Sequence, residues 1–226
     1  MPTDDHIAIY RGIRARVSEL VRDLDADTLA RTAPATPAWS VHDVLAHLVG
    51  DVTDVVAGNL DGVATDAWTQ AQVDRRRGVP VGDLLDEWAR GAAVVEPTID
   101  GFPPMMRAMF LTDAVTHEHD IRHAIGAPGA RESDAIAFSY GRAIGAVGPA
   151  RGGAGAVRIV HEAGEDLVGE GEATATVRTT RFEIVRAAVG RRSFDEIRAW
   201  DWDGEPTPEA FVLGMFTPPR ATPLGE

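Results

Sequence analysis

The sequence predicts an α+β protein in two parts, an N-terminal four-helix bundle over residues 1–130 and a small C-terminal α+β domain over residues 131–226. Three observations predict it. Apolar residues recur at helical spacing through the first part. Start and stop signals bracket each of those stretches. After Ala127-Pro128-Gly129-Ala130 the pattern changes to short alternating or β-branched runs mixed with helical ones, the mark of an α+β arrangement.

The bundle reads as four elements. In the first, Ile13, Val17, Leu20, Val21 and Leu24 follow helical spacing, fading into the loop of D-A-D and T-A-P-A-T-P. The second opens at W-S-V-H-D-V, where Ser40 is an N-cap and Asp43 stands where a capping box has its acid. Trp39 and Val44 are spaced as a hydrophobic staple, and the helix is expected to reach Leu60. A third, with Leu84, Leu85, Trp88 and Val95, lies between Val81 and Pro97. The fourth follows Pro103-Pro104 and stops near Gly126, with Pro128 beyond. Four helices joined by loops over about 126 residues suggest an antiparallel bundle.

In the second part a helix over Asp134 to Val147 leads into a Gly-rich loop. The runs V-R-I-V-H, D-L-V-G-E and A-T-A-T-V-R-T read as strands. R-F-E-I-V-R-A-A-V-G reads as a helix, and I-R-A-W-D-W as a last strand. The W-D-W-D run either lines a pocket or, as alternating Trp in a strand more often does, packs one face of the sheet.

Composition narrows the function. The chain is 44% hydrophobic and 25% charged, as in ordinary soluble proteins. No apolar run approaches a membrane span, and M-P-T-D-D-H lacks the basic and apolar regions of a signal peptide, so a cytoplasmic protein without a membrane partner is expected. A net charge of −13 argues against a nucleic-acid binder, which needs a basic surface. The cluster Arg75-Arg76-Arg77, before Gly78 and Pro80, reads as a solvated loop. All 22 basic residues are arginine, which excludes a lysine Schiff base and leaves guanidinium forks to hold an anion. There is no cysteine. Any metal must therefore be held by histidine and carboxylate, and any thiol must come from outside.

The stretch D-A-V-T-H-E-H-D-I-R-H, residues 113–123, holds three histidines and three acids. On a helical wheel with Asp113 at zero, His117 falls at about 40° and Asp120 at about −20°, within the arc of Met106, Met109, Phe110, Ala114, Ile121 and Ala124. His119 and His123 fall at about 240° and 280°, with Arg122 and Glu118 on the polar side, and are expected to be solvated. Two carboxylates and an imidazole inside a bundle need pairing or a cation. Asp113 and His117, one turn apart, point to one spot, and a facing helix can supply a third ligand. His47 is the candidate, at the edge of its helix's apolar face between Val44 and Leu48, with Asp51 one turn on; His42 lies off that face and is expected to be exposed. A hydrogen-bonded core histidine or a simple intrahelical Asp–His pair remains the bland alternative.

T-P-A-W-S-V-H-D-V-L-A-H-L and L-T-D-A-V-T-H-E-H-D-I-R-H-A-I-G together resemble the mycothiol-dependent maleylpyruvate isomerase family, of the DinB-like metal-binding superfamily. The similarity continues at A-V-G-R-R-S and from W-D-W-D-G to P-L-G-E. The resemblance implies a DinB-like bundle before an α+β domain and a divalent metal, typically zinc, on His47, Asp113 and His117. The family's carboxylate is usually Glu, so Asp113 is one methylene shorter. Asp120 matches the family's H-x-x-D and, with Asp51, would support the ligands from behind. A C-terminal arginine binds substrate in the isomerases; Arg191 matches it, with Arg192 and Arg220 as rivals. The implied partners are the thiol mycothiol and a small, anionic, electrophilic substrate, in an isomerisation or S-transfer. Metal-dependent hydrolysis and a non-catalytic metal-binding or regulatory module are the competing readings.

Overall fold

The computed structural model describes residues 5–150, 155–213 and 217–226. It divides into two compact units between Gly129 and Ala130. The first is helical and the second carries a four-stranded sheet, the α+β class that the sequence predicts.

The N-terminal unit runs through α1 (His6–Val21), a single turn α2 (Ala26–Leu29), α3 (Val41–Ala57), α4 (Asp66–Arg76), α5 (Val81–Val95), a 3₁₀ segment (Glu96–Gly101) and α6 (Pro104–Ile125). The signals at the start of α3 work as read. Ser40 accepts a hydrogen bond from the Asp43 amide, and the Asp43 carboxylate accepts one from the Ser40 amide at 2.9 Å. The helix stops at Ala57, three residues before Leu60, because Gly58 turns left-handed at φ 70°. Gly126 closes α6 in the same way, at φ 68°, its amide bonded back to the carbonyls of Arg122 and His123.

Apolar positions at helical spacing meet in one core: Ile13 and Val17 from α1, Val44, Leu45 and Leu48 from α3, Leu84 and Trp88 from α5, and Leu111, Val115 and Ile121 from α6. Full burial of side chains of this size stabilises by about 1.5–3 kcal/mol each before the entropy of ordering them. Trp88 brings a polar atom into this core. Its indole N–H donates to the Tyr10 hydroxyl at 2.8 Å, and Tyr10 stacks on Phe110 with centroids 4.8 Å apart. Without that partner the buried N–H would cost about 1–3 kcal/mol.

Helix α4 corrects the expectation of a solvated loop at Arg75-Arg76-Arg77. Thr65 caps it by accepting from the Trp68 amide, and Arg75 and Arg76 lie in its last turn, where the helix dipole favours cations. Two of the three arginines are paired with acids from neighbouring helices. Arg75 reaches both oxygens of Asp54 at 2.8 and 2.7 Å, and buried Arg76 binds Glu87 at 2.6 Å. Arg76 is buried, whereas Arg75 and Arg77, the latter bonded to Asp74, keep their guanidiniums at the surface.

In the C-terminal unit α7 (Asp134–Ala150) precedes β1 (Ala156–His161), β2 (Gly164–Val168) and β3 (Ala173–Arg178), and α8 (Arg181–Ala188), α9 (Phe194–Arg198) and β4 (Asp201–Asp203) follow. The Gly-rich loop before β1 lies at 151–154, outside the described residues. The sheet order is β2-β1-β3-β4, with β1 antiparallel to β2, parallel to β3, and β3 antiparallel to β4. Val157, Ile159 and Val177 from the sheet, Phe182, Ile184 and Val185 from α8, and Phe211 are buried in this unit.

The last strand is shorter than I-R-A-W-D-W suggests. Ile197 and Arg198 belong to α9, whose start is a capping box between Ser193 and Glu196, and only Asp201–Asp203 extends the sheet. Trp200 and Trp202 both pack edge-on to Phe211, at 5.5 and 5.9 Å, so this run packs within its own unit.

Candidate metal centre

Helices α3 and α6 pack against each other in the N-terminal unit, and their facing turns carry the candidate ligands. One atom each from His47, Asp113 and His117 can be chosen so that all three lie within 4.8 Å of one another. His47 Nε2 is 3.3 Å from Asp113 Oδ2, and His117 Nε2 is 3.5 Å from Asp113 Oδ1. The rings meet edge to face, centroids 4.9 Å apart. Both histidines are buried, while the Asp113 side chain keeps 23% exposure and so marks the open side of the cluster.

The far nitrogen of each imidazole faces an acceptor. His47 Nδ1 lies 2.7 Å from the Gln72 amide oxygen on α4, and His117 Nδ1 lies 3.0 Å from Oδ2 of fully buried Asp120. A proton on His47 Nδ1, held by Gln72, leaves that Nε2 free to coordinate, and both Nε2 atoms face Asp113, the arrangement a pair of metal ligands needs. The Trp39 ring lies beside both imidazoles, at 5.1 and 5.9 Å, and its N–H donates to Gln70 at 3.2 Å.

The electrostatics express the crowding. Burial lowers the His47 imidazole, but the carboxylates of Asp51 and Asp113 and the bond to Gln72 outweigh it and raise its pKa to about 9. Burial also lowers His117, and Asp113 and Asp120 raise it above its ordinary value. Asp113, which burial alone would raise, is held well below the usual carboxylate range by His117 and His47. Asp51 goes the other way. Burial lifts it to about 7, with Asp113 adding to the rise and the two histidines opposing it.

This donor set fits a divalent cation. Neither nitrogen–oxygen separation is the short contact of a charge-assisted hydrogen bond, about 2.7–2.9 Å. Buried Asp113 Oδ2 has no hydrogen-bond partner among the described residues, nor has Asp51 Oδ1. Ligand atoms sharing a tetrahedral cation at about 2.0–2.2 Å stand about 3.3–3.6 Å from one another. Each imidazole nitrogen stands at such a distance from one oxygen of Asp113, His47 from Oδ2 and His117 from Oδ1.

The structure therefore brings His47, Asp113, His117 and Asp120 together, and Asp51 beside them, its Oδ1 3.6 Å from His47 Nδ1. Arg191 lies in the C-terminal unit, buried, with Nη1 donating to the Val189 carbonyl and the Thr217 hydroxyl at 3.1 Å each. Its rivals differ. Arg192 is forked onto Glu183 at 2.6 and 2.8 Å, and Arg220 Nε donates to the Thr222 carbonyl.

Three expectations are overturned. His119 is 2% exposed rather than solvated, and His123 is half-buried with its Nδ1 enclosed. Glu118, beside them, is fully buried because Arg16 of α1 reaches across to both its oxygens at 2.8 and 2.7 Å. His42 is half-buried, its Nε2 bonded to the Val79 carbonyl at 2.8 Å. Sequence reasoning missed Gln72 and the placement of Trp39 over the imidazoles. Thr65 and Asp66, an N-cap with an acid in the first turn, were the available signal for α4 and so for Gln72.

Residues 10–124, from α1 to the end of α6, match the family described as the mycothiol maleylpyruvate isomerase N-terminal domain. A crystal structure of the mycothiol-dependent maleylpyruvate isomerase superposes with a TM-score of 0.58 at 12% identity, covering 84% of this chain and 90% of that one. A mutant of that enzyme superposes with a TM-score of 0.57 at the same identity and coverage. At that identity the likeness is one of fold. A comparison with curated proteins finds no match. The family match spans half of the chain and contains all three converging side chains, so the chain belongs to the mycothiol maleylpyruvate isomerase N-terminal domain family.

Proposed function

We propose that this protein is a thiol-dependent metalloenzyme, an isomerase or S-transferase of the maleylpyruvate isomerase kind, with zinc held by His47, Asp113 and His117. The observation that carries the reading is the convergence of two Nε2 atoms and one carboxylate, without good hydrogen bonds among them, inside the family's own domain. The chemistry that such a cation supplies when bound is acidification of a thiol, so that it is ionised at neutral pH. The chain has no cysteine, so the thiol is a cofactor from outside, and mycothiol is the one the family description names.

In this reading His47 and His117 bind through Nε2, and the Asp120 carboxylate, 3.0 Å from His117 Nδ1, holds that ring by charge. The charge of Asp113 balances that of the cation. Asp51 stands beside the ligands, its Oδ1 3.6 Å from His47 Nδ1. The substrate is a small, anionic, electrophilic molecule, and Arg191 is its carboxylate partner on the strength of the sequence resemblance. The N-terminal unit is the metal-binding domain and the C-terminal unit the substrate-binding one.

Calorimetric titration with mycothiol tests this. The zinc-loaded protein should bind the thiol, and stripping the metal should abolish binding. Thiol binding that survives metal removal would contradict the reading, and zinc-loaded protein that ignores the thiol would favour hydrolysis.

A further inference from the structure

One buried polar chain leads away from the cluster. Gln72, fully buried on α4, sits between His47 and Asp54, both on α3. Its Nε2 donates to Asp54 Oδ2 at 2.9 Å, and its Oε1 lies 2.7 Å from His47 Nδ1. Asp54 also accepts from Asn59 Nδ2 at 3.0 Å and from Arg75 Nη2 on both oxygens, at 2.8 and 2.7 Å. Asp54 is 4% exposed, whereas the Arg75 side chain is 46% exposed. The chain thus runs from a buried imidazole to a surface guanidinium.

Its polarity is dictated link by link. An arginine can only donate, so Asp54 faces it as an acceptor. A carboxylate paired in this way can accept from Gln72 only if the amide turns its NH₂ toward it. The amide oxygen is then the atom left for His47, and an amide oxygen only accepts. His47 Nδ1 must therefore carry the proton, which leaves Nε2 as the coordinating atom.

The close packing of α4 on α3 that makes this possible depends on Gly50. A Cβ at that position would stand 2.5 Å from Gln72 Cβ and 2.7 Å from its Cγ. The absence of a side chain at Gly50, one helical turn from His47 and from Asp54, is what lets Gln72 lie between them.

We infer that Gln72, aligned by Asp54 and Arg75 and admitted by Gly50, is a positioning residue that fixes the proton on His47 Nδ1 and so presents Nε2 to the metal. The inference rests on the metal reading of His47, Asp113 and His117. Gln72 touches neither substrate nor metal; it acts through His47. Outer partners of this kind typically carry about 10–100-fold of metal affinity.

Two measurements test it. In the zinc-loaded wild-type protein, nitrogen-15 NMR of the imidazoles should show His47 protonated at Nδ1 and metal-bound at Nε2. Zinc on Nδ1 would overturn the inference, whatever any variant does. In competition with a zinc chelator, Gln72→Met, which keeps the length but has no amide oxygen, should bind zinc about 10–100-fold more weakly than wild type. Its circular dichroism should be unchanged. Affinity within about twofold of wild type in the folded variant would overturn it, since removal of an outer partner is expected to cost at least about tenfold. Wild-type protein that binds no zinc at all would instead sink the metal reading, and this inference with it.

Discussion

Residue Glu118 shows how a neighbouring helix decides the meaning of a charged position. On the α6 wheel it lies with the polar residues, yet Arg16 and Arg122 both bind its carboxylate and it has no exposure. Glu118→Ala would leave two guanidiniums facing an apolar gap. It should cost about 3 kcal/mol, the lower end for a broken buried pair because Arg16 is partly solvated, read as a lower urea midpoint. His117 and Asp113 were legible because both ligands sit on one helix, where a fixed 100° step relates their directions. His47 needed the further assumption that α3 faces α6. Gln72 was not legible at all, since what matters is its contact with His47, set by packing between two helices. His119 was misjudged for the same reason, as a wheel does not know that Arg16 lies across the polar face.

Elements were readable where side chains near their ends do the work. The Ser40–Asp43 box, Pro103-Pro104 and Gly126 each act on backbone groups within a few residues, so local sequence suffices. The same signal stands in S-F-D-E at α9, where the β-favouring residues of I-R-A-W-D-W obscured it. There Glu196 accepts the Ser193 amide at 2.7 Å and the Leu224 amide at 2.9 Å, tying α9 to the end of the chain. Burial alone would raise the Glu196 carboxyl, but the amides of Ser193, Leu224 and Gly225 lower it below its ordinary value. A depressed carboxyl stabilises the fold above its unfolded pKa, about 4.3, and loses that contribution as pH falls through the folded value. Glu196→Gln should therefore be less stable than wild type at neutral pH, with the gap closing below about pH 4. A gap in urea midpoint that does not change with pH would argue against this. Helix α4 was hidden because its sequence, D-A-W-T-Q-A-Q-V-D-R-R, buries mostly polar side chains, Gln72 and Arg76, around Val73.

Across the molecule, the N-terminal unit by itself holds the three converging side chains together with Asp120, Asp51 and Gln72. Among the described residues no helix is long and apolar enough to cross a membrane. The change of pattern after residue 130 was visible because helices and strands impose different periods on apolar residues. The contacts of Arg191 with Val189 and Thr217 were not visible, because no period announces them. The account as a whole rests on a cation shared by α3 and α6. Metal analysis of the purified, zinc-equilibrated protein beside its His117→Ala variant tests this most directly. The wild type should hold about one zinc per chain and the variant almost none, because loss of one of three protein ligands leaves too few to retain the ion. Equal zinc in both proteins, or none in the wild type, would contradict it.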